Sequence, residues 1–330
     1  MIESQPPPIQ SPRRKRTPLL VAVNLAVWAA VTVGIVLLAR RLDWQRVRSA
    51  FALADLRFAV LAIALWPVTS TFQAARWWLL AREALPARFR DALAAYFVGA
   101  AATAVLPLRA GEAVRIELLA RATAGSRAVA LGTVALDHTV NGIVMFLFAL
   151  ALPLVLPAPR WMLILVWGGM AGLVIVAALL LRVAQAPPRR GARGGGFHGA
   201  IHRLRGGLAG LRQPRAVLPA AACSAVAWTL EIVHAALALA TFHLSANPAH
   251  AMGVLFGVNL VLALPAPPGN LGNFEFGAGF SLVALGGSAE AAAAFALGYH
   301  ALELIPTLLG GALFLPFAGK PRAAAGDRAA

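Results

Sequence analysis

Apolar residues in this chain run in unbroken blocks rather than in the one-sided stripe of a water-facing helix. Six blocks are long enough to cross a bilayer as helix: Leu19 to Ala39, Phe58 to Leu80, Ala128 to Leu156, Trp161 to Leu181, Ala216 to Phe242 and Ala289 to Phe317. Pro67 should kink the second, and the Trp77-Trp78 pair at its end reads as an interface marker. Leu42 to Ala54 mixes Asp43, Trp44, Arg46 and Arg48 with apolar residues, the pattern of an interfacial helix.

Two further blocks are interrupted. Ala92 to Leu106 is short for a span, breaks at Pro107 and leads into the charged segment Arg109 to Glu117. Met252 to Ala263 and Phe276 to Leu285 flank Leu264-Pro265-Ala266-Pro267-Pro268-Gly269-Asn270-Leu271-Gly272-Asn273-Phe274-Glu275. Three prolines and two glycines cannot continue a helix, so peptide groups open there. Lipid cannot satisfy them, and such backbone is tolerated at membrane depth only inside protein or beside a wet cavity. The fold predicted is all-α: a polytopic integral membrane protein of about six full spans with two re-entrant, broken hairpins.

Composition agrees with a membrane chain, at 60% hydrophobic and 13% charged over 330 residues, with mean hydropathy +0.74. The net charge of +16 sits mainly on arginines between apolar blocks. That is the pattern of cytoplasmic loops facing anionic lipid headgroups, and no nucleic-acid motif accompanies it. The single cysteine, Cys223, excludes an intramolecular disulfide.

The organisation expected is a disordered basic tail over residues 1–17, a membrane domain over 18–318 with a flexible basic loop at 182–215, and a short tail over 319–330. A short helix is expected within that loop near His198 to Leu211. The first apolar block follows Arg13-Arg14-Lys15-Arg16 and reads as an anchor rather than a cleaved leader. Basic tails and loop place both termini in the cytoplasm, although Arg40, Arg41, Arg46, Arg48 and Arg57 then fall outside.

The two breaks share a skeleton, Leu106-Pro107-Leu108-Arg109-Ala110-Gly111 beside Leu264-Pro265-Ala266-Pro267-Pro268-Gly269. Asp137-His138-Thr139-Val140-Asn141 likewise aligns with Tyr299-His300-Ala301-Leu302-Glu303. An odd number of spans separates the copies, so the halves would be inverted, as in transporters whose broken helices meet near the midplane. Chance matching of Leu-Pro and Gly in apolar helices is the alternative.

At these residues the chain resembles the lysylphosphatidylglycerol synthase transmembrane-domain family of flippase-like proteins, over roughly Leu19 to Phe317. The resemblance rests on Arg76-Trp77, on Gly111-Glu112-Ala113-Val114-Arg115 with Leu136-Asp137, and on Pro268 to Glu275. Three positions depart from the family pattern: Asn270 stands where a glycine is usual, Asp137-His138-Thr139-Val140-Asn141 where Asp-Arg-x-x-Asp is usual, and His300 where an arginine follows Tyr. The two histidines replace fixed charges with groups that titrate near neutrality. The resemblance implies a bacterial inner-membrane protein moving a lipid or lipid-linked molecule between leaflets. The sequence ends soon after the last span, so aminoacyl-transferase activity is not expected.

Charge inside a bilayer is costly, which makes Glu112, Arg115, Asp137, Glu275 and Glu303 site candidates. In this reading the hairpins meet in a central cavity, Gly111, Gly269, Asn270, Gly272 and Asn273 supply opened backbone, and Arg76, Arg109 and Arg115 meet a headgroup phosphate. Glu112 with Arg115 also reads as a plain intrahelical pair, Glu275 as a helix-start carboxylate, and His138 and His300 as packed helix histidines. Glu231 and His234 read as a simple pair, and no cofactor or metal site is expected. A lipid substrate and anionic headgroups are the partners expected. A homo-oligomer or partners in lipid biosynthesis remain open, as do a headgroup-modifying enzyme and a scaffold role.

Overall fold

The computed structural model describes residues 33, 40, 42–106, 110–155, 160–185, 197–263 and 267–320. The chain divides after Arg41, and every helix from Trp44 onward belongs to the unit Leu42–Ala330. Among the described residues the regular structure is entirely helical. In chain order the helices are α1 Trp44–Ala52, α2 Leu56–Ala81, α3 Phe89–Val105, α4 Gly111–Ala122 and α5 Arg127–Ala149, which a further turn Leu152–Val155 extends. They continue as α6 Arg160–Gln185, α7 Phe197–Gly207, α8 Pro214–Thr241, α9 Pro248–Leu262, α10 Asn273–Ala284 and α11 Ala289–Phe314.

Five of these are long and apolar enough to cross a membrane: α2, α5 with its extension, α6, α8 and α11 with the turn after it. They answer to five of the six expected spans; the remaining one, Leu19 to Ala39, falls outside the described residues apart from Val33. Short polar residues between the blocks start the helices. Asp55 accepts from the Arg57 amide at 2.9 Å, Asn247 from His250 at 2.8 Å and Ser288 from Ala291 at 3.2 Å, each supplying an acceptor that helical geometry leaves missing. The expected amphipathic segment forms α1, capped by Asp43. The basic loop carries the short helix α7.

Hairpins α3–α4 and α9–α10 each fold two helices against one another across a break. Both close on glycines. A Cβ at Gly111 would overlap the Gly99 carbonyl and Thr103, and one at Gly277 would stand 2.7 Å from Val258 Cα. Gly99 and Gly257 precede Pro107 and Pro265 by the same interval, so the contact glycine belongs to the repeat as much as the Leu-Pro break does. Close approach of this kind suits a bilayer, where small residues let helices pack when apolar burial gains nothing over lipid. The buried core is accordingly rich in alanine, as at Ala62, Ala235, Ala238, Ala251, Ala278 and Ala296.

The matching spans α2 and α8 form the most extensive helix pair. The second break, at Pro268–Asn270, packs on α3, with the Gly269 position standing close to the Ala104 carbonyl. Helix α6 shows lipid-suited side chains outward, including Ile164, Trp167, Ile175 and Leu179. Trp77 departs from the exposed interface position expected of it, whereas Trp78 is half-buried. Trp77 is fully buried, donating to Thr133 Oγ1 at 3.1 Å, because its ring forms the platform for the buried Arg115.

Candidate functional site

The second break turns on three left-handed residues, Gly269 (φ 67°), Asn270 (φ 56°) and Gly272 (φ 85°). Glycine enters this region without a Cβ penalty and asparagine tolerates it, which accounts for the residue types here. The turn delivers the chain into the start of α10. Glu275 Oε2 accepts from the Gly272 amide at 2.7 Å, and Glu275 Oε1 lies 2.7 Å from His300 Nδ1 on α11. Phe274 stacks on the His300 ring, centroids 4.4 Å apart and planes 13° from parallel, so the imidazole is held flat against the hairpin. Asn273 is buried and reaches the Val261 carbonyl on α9 at 3.5 Å. Glu275 is therefore both a helix-start carboxylate and the partner of a histidine on the next span.

The first hairpin repeats this plan. Glu112, in the first turn of α4, has Oε1 3.4 Å from His138 Nε2 on α5. The pair is more open than its counterpart: the side chains of His138 and Glu112 are 51% and 33% exposed, against 8% and 21% for His300 and Glu275. Arg109, with Pro107 and Leu108, lies outside the described residues.

Arg76 and Arg115 converge on a third group. Asp137, fully buried on α5, accepts from Arg76 Nε at 2.7 Å and from Arg115 Nη2 at 2.7 Å. Arg115 lies over the Trp77 ring, 3.8 Å from its centroid, and keeps Glu112 Oε2 at 3.6 Å. Arg76 also donates to Asn141 Oδ1 at 2.7 Å, which accepts from Ser224 at 3.0 Å and Trp228 at 3.1 Å. Both arginines are thus buried on a carboxylate, an arrangement that ties α2, α4, α5 and α8 together.

Glu303 faces a different group. It lines a cavity of about 160 Å³ together with Gln73, Asn141, Trp228, Glu231, Asn259 and others, between α2, α8, α9 and α11. Glu231 and His234 do not simply pair as their spacing suggested. Gln73 donates to Glu231 Oε1 at 2.9 Å and itself accepts from the Tyr96 hydroxyl, while His234 Nδ1 is directed at Glu303 Oε1, 3.8 Å away. Helix rotation decides this, because the polar face of α8 meets α2 and α11 at once.

Gln73 and Tyr96 were passed over in the sequence, and Asn141 stood out there only as a departure from the family pattern. A signal existed for the first: Gln73 and Glu231 stand 158 residues apart, the same offset that relates Pro107 to Pro265 and Arg76 to His234. A slightly longer offset relates Asp137, His138 and Asn141 to Tyr299, His300 and Glu303. The two stretches thus carry matching constellations, Arg76 with Asp137 and Asn141 in one, His234 beside Tyr299 and Glu303 in the other.

The sequence profile of the family described as lysylphosphatidylglycerol synthase TM region matches residues 21–311. No curated protein matches the chain. With helices for five spans, two broken hairpins and that match over most of its length, the chain belongs to the family of the lysylphosphatidylglycerol synthase TM region, multi-pass membrane proteins tied to lipid handling.

Proposed function

We propose that this protein moves a lipid or lipid-linked molecule between the leaflets of a bacterial inner membrane, with α3–α4 and α9–α10 as re-entrant hairpins around the passage. One observation carries the reading: each hairpin places a carboxylate just after its break and faces it with a histidine on the following span, Glu112 with His138 and Glu275 with His300. One pair is open and the other closed, as expected of inverted halves caught on one side of an alternating cycle. In this cycle the open pair meets the headgroup, and closure of that pair accompanies opening of its counterpart.

The buried Arg76–Asp137–Arg115 cluster serves to position α4 and α5, so that Glu112 and His138 face one another. Both termini and the basic loop face the cytoplasm in this reading, where the arginines of α7 meet anionic headgroups. The activity is movement rather than headgroup synthesis.

The test is leaflet exchange of native and fluorescent lipids in proteoliposomes, with and without an imposed pH gradient. Glu275→Gln and Glu112→Gln should each abolish exchange while the protein inserts and folds. Unchanged exchange in either folded variant removes that pair from the passage, and no exchange of any lipid by folded wild type refutes the reading as a whole.

A further inference from the structure

Beside the cavity between the halves stands a donor set that the two glutamate–histidine pairs leave unused: Glu231 and Glu303 line the cavity, and His234 adjoins them. Glu231 and His234 stand three residues apart on α8 and so share one helix face, and Glu303 meets them from α11. One ligand atom from each lies within 4.8 Å of the other two. The His234 side chain is 3% exposed, and its Nε2 is buried without a hydrogen-bond partner. Its Nδ1 stands 3.8 Å from Glu303 Oε1, too long for a hydrogen bond. That gap is only a little wider than the roughly 3.4 Å between two ligands of a tetrahedral ion with bonds of about 2.1 Å.

Charge balance points the same way. Among the described residues neither Glu231 nor Glu303 forms an ion pair with an arginine or lysine, in contrast to Asp137, which has two. A carboxylate at this depth is either neutralised by a proton or balanced by a positive charge, and a bound cation would supply the second. A neutral imidazole with two carboxylates is a donor set that suits Zn²⁺ or Mn²⁺.

We propose that Glu231, His234 and Glu303 hold a divalent metal ion at the seam between the two halves, with its remaining positions open to the cavity. The surroundings fit a ligand shell. Gln73 donates to Glu231 Oε1 at 2.9 Å, leaving Oε2 for the ion, and the Tyr96 hydroxyl fixes Gln73 in turn. Metal-bound carboxylates are held by partners of this kind. Asn259 spends its amide Nδ2 on the Leu255 carbonyl at 2.9 Å and lines the same space. Because Gln73 lies on α2 and the ligands lie on α8 and α11, the ion would stiffen the contact about which the halves pair. This differs from the lipid passage, and either could hold without the other.

The test uses the full chain in detergent. Metal content is measured on the purified protein, which is then stripped with chelator and titrated calorimetrically with Zn²⁺ and with Mn²⁺, Na⁺ serving as control. Wild type should take up one divalent ion per chain. His234→Ala and Glu303→Gln should lose it, and His250→Ala, which removes a histidine outside the cluster, should keep it. Gln73→Ala retains every ligand and should weaken binding about 10- to 100-fold; it gives a folded check should the ligand variants misfold. A folded wild type that binds neither ion overturns the proposal, as does equal binding by folded ligand variants or by Gln73→Ala.

Discussion

Replacing Asp137 by asparagine tests the central cluster with the least change of shape. The carboxylate accepts from Arg76 Nε at 2.7 Å, Arg76 Nη2 at 3.5 Å and Arg115 Nη2 at 2.7 Å, and none of the three side chains is more than 5% exposed. Asparagine keeps one acceptor oxygen and turns an NH₂ group toward a guanidinium, so at least one charged hydrogen bond, worth about 1.5–3 kcal/mol, is lost outright. Arg115 retains Glu112 at 3.6 Å and the Trp77 ring, whereas Arg76 keeps only neutral partners, Asn141 and Ser224. The stranded cation is Arg76, and the total cost should approach the roughly 3–5 kcal/mol of breaking a buried ion pair from one side. In thermal unfolding of the detergent-solubilised chain, followed by tryptophan fluorescence, that is a fall in Tm on the order of 10 °C. Adding Arg76→Gln removes the stranded charge and should recover about half of the loss, a coupling between neighbours that a double-mutant cycle isolates. A loss under about 1 kcal/mol in Asp137→Asn, or a double variant no better than the sum of its singles, refutes the account of buried charge.

Gly111→Ala should splay the first hairpin, since its Cβ overlaps the Gly99 carbonyl; a cost of about 1–3 kcal/mol in unfolding and loss of lipid exchange are expected, and wild-type behaviour would count against close packing there. Asn270→Gly should leave stability nearly unchanged at φ 56°, whereas Asn270→Val should cost about 1–2 kcal/mol; equal stability of the two would show that the turn is not left-handed. His300→Arg puts a longer, fixed charge opposite Glu275 and removes the ring that stacks on Phe274; a folded variant should lose lipid exchange, and wild-type exchange would take the His300–Glu275 contact out of the passage.

The spans and the two breaks were legible in the sequence because each rests on a one-dimensional requirement. A bilayer demands about 20 apolar residues of continuous helix, and Pro107, Pro265 and Gly269 forbid continuity wherever they fall. The likeness between the breaks was legible for the same reason, and it set His138 beside His300; that Glu112 and Glu275 face these histidines as two copies of one arrangement emerged only from the packing. The family resemblance rested on those short stretches, and the profile match over residues 21–311 agrees with it.

Partner choice was not legible, because it depends on how neighbouring helices are rotated and how closely they cross. Arg76 and Arg115 were expected to face a phosphate; the structure buries both on Asp137, which is 61 residues from one and 22 from the other. Trp77 had the sequence position of an interface marker and became the floor beneath Arg115, since α4 crosses α3 closely enough at Gly99 and Gly111 to bring the guanidinium over the ring. Glu231, His234 and Glu303 gathered for a similar reason: α2 and α8 pack along their length and α11 closes on both, so polar residues on separate spans meet in one cluster. The sequence by itself determined where helix must run and where it must stop; the tertiary packing decided which charge each charge would meet, because helix rotation and crossing distance are fixed only when all the faces are buried together.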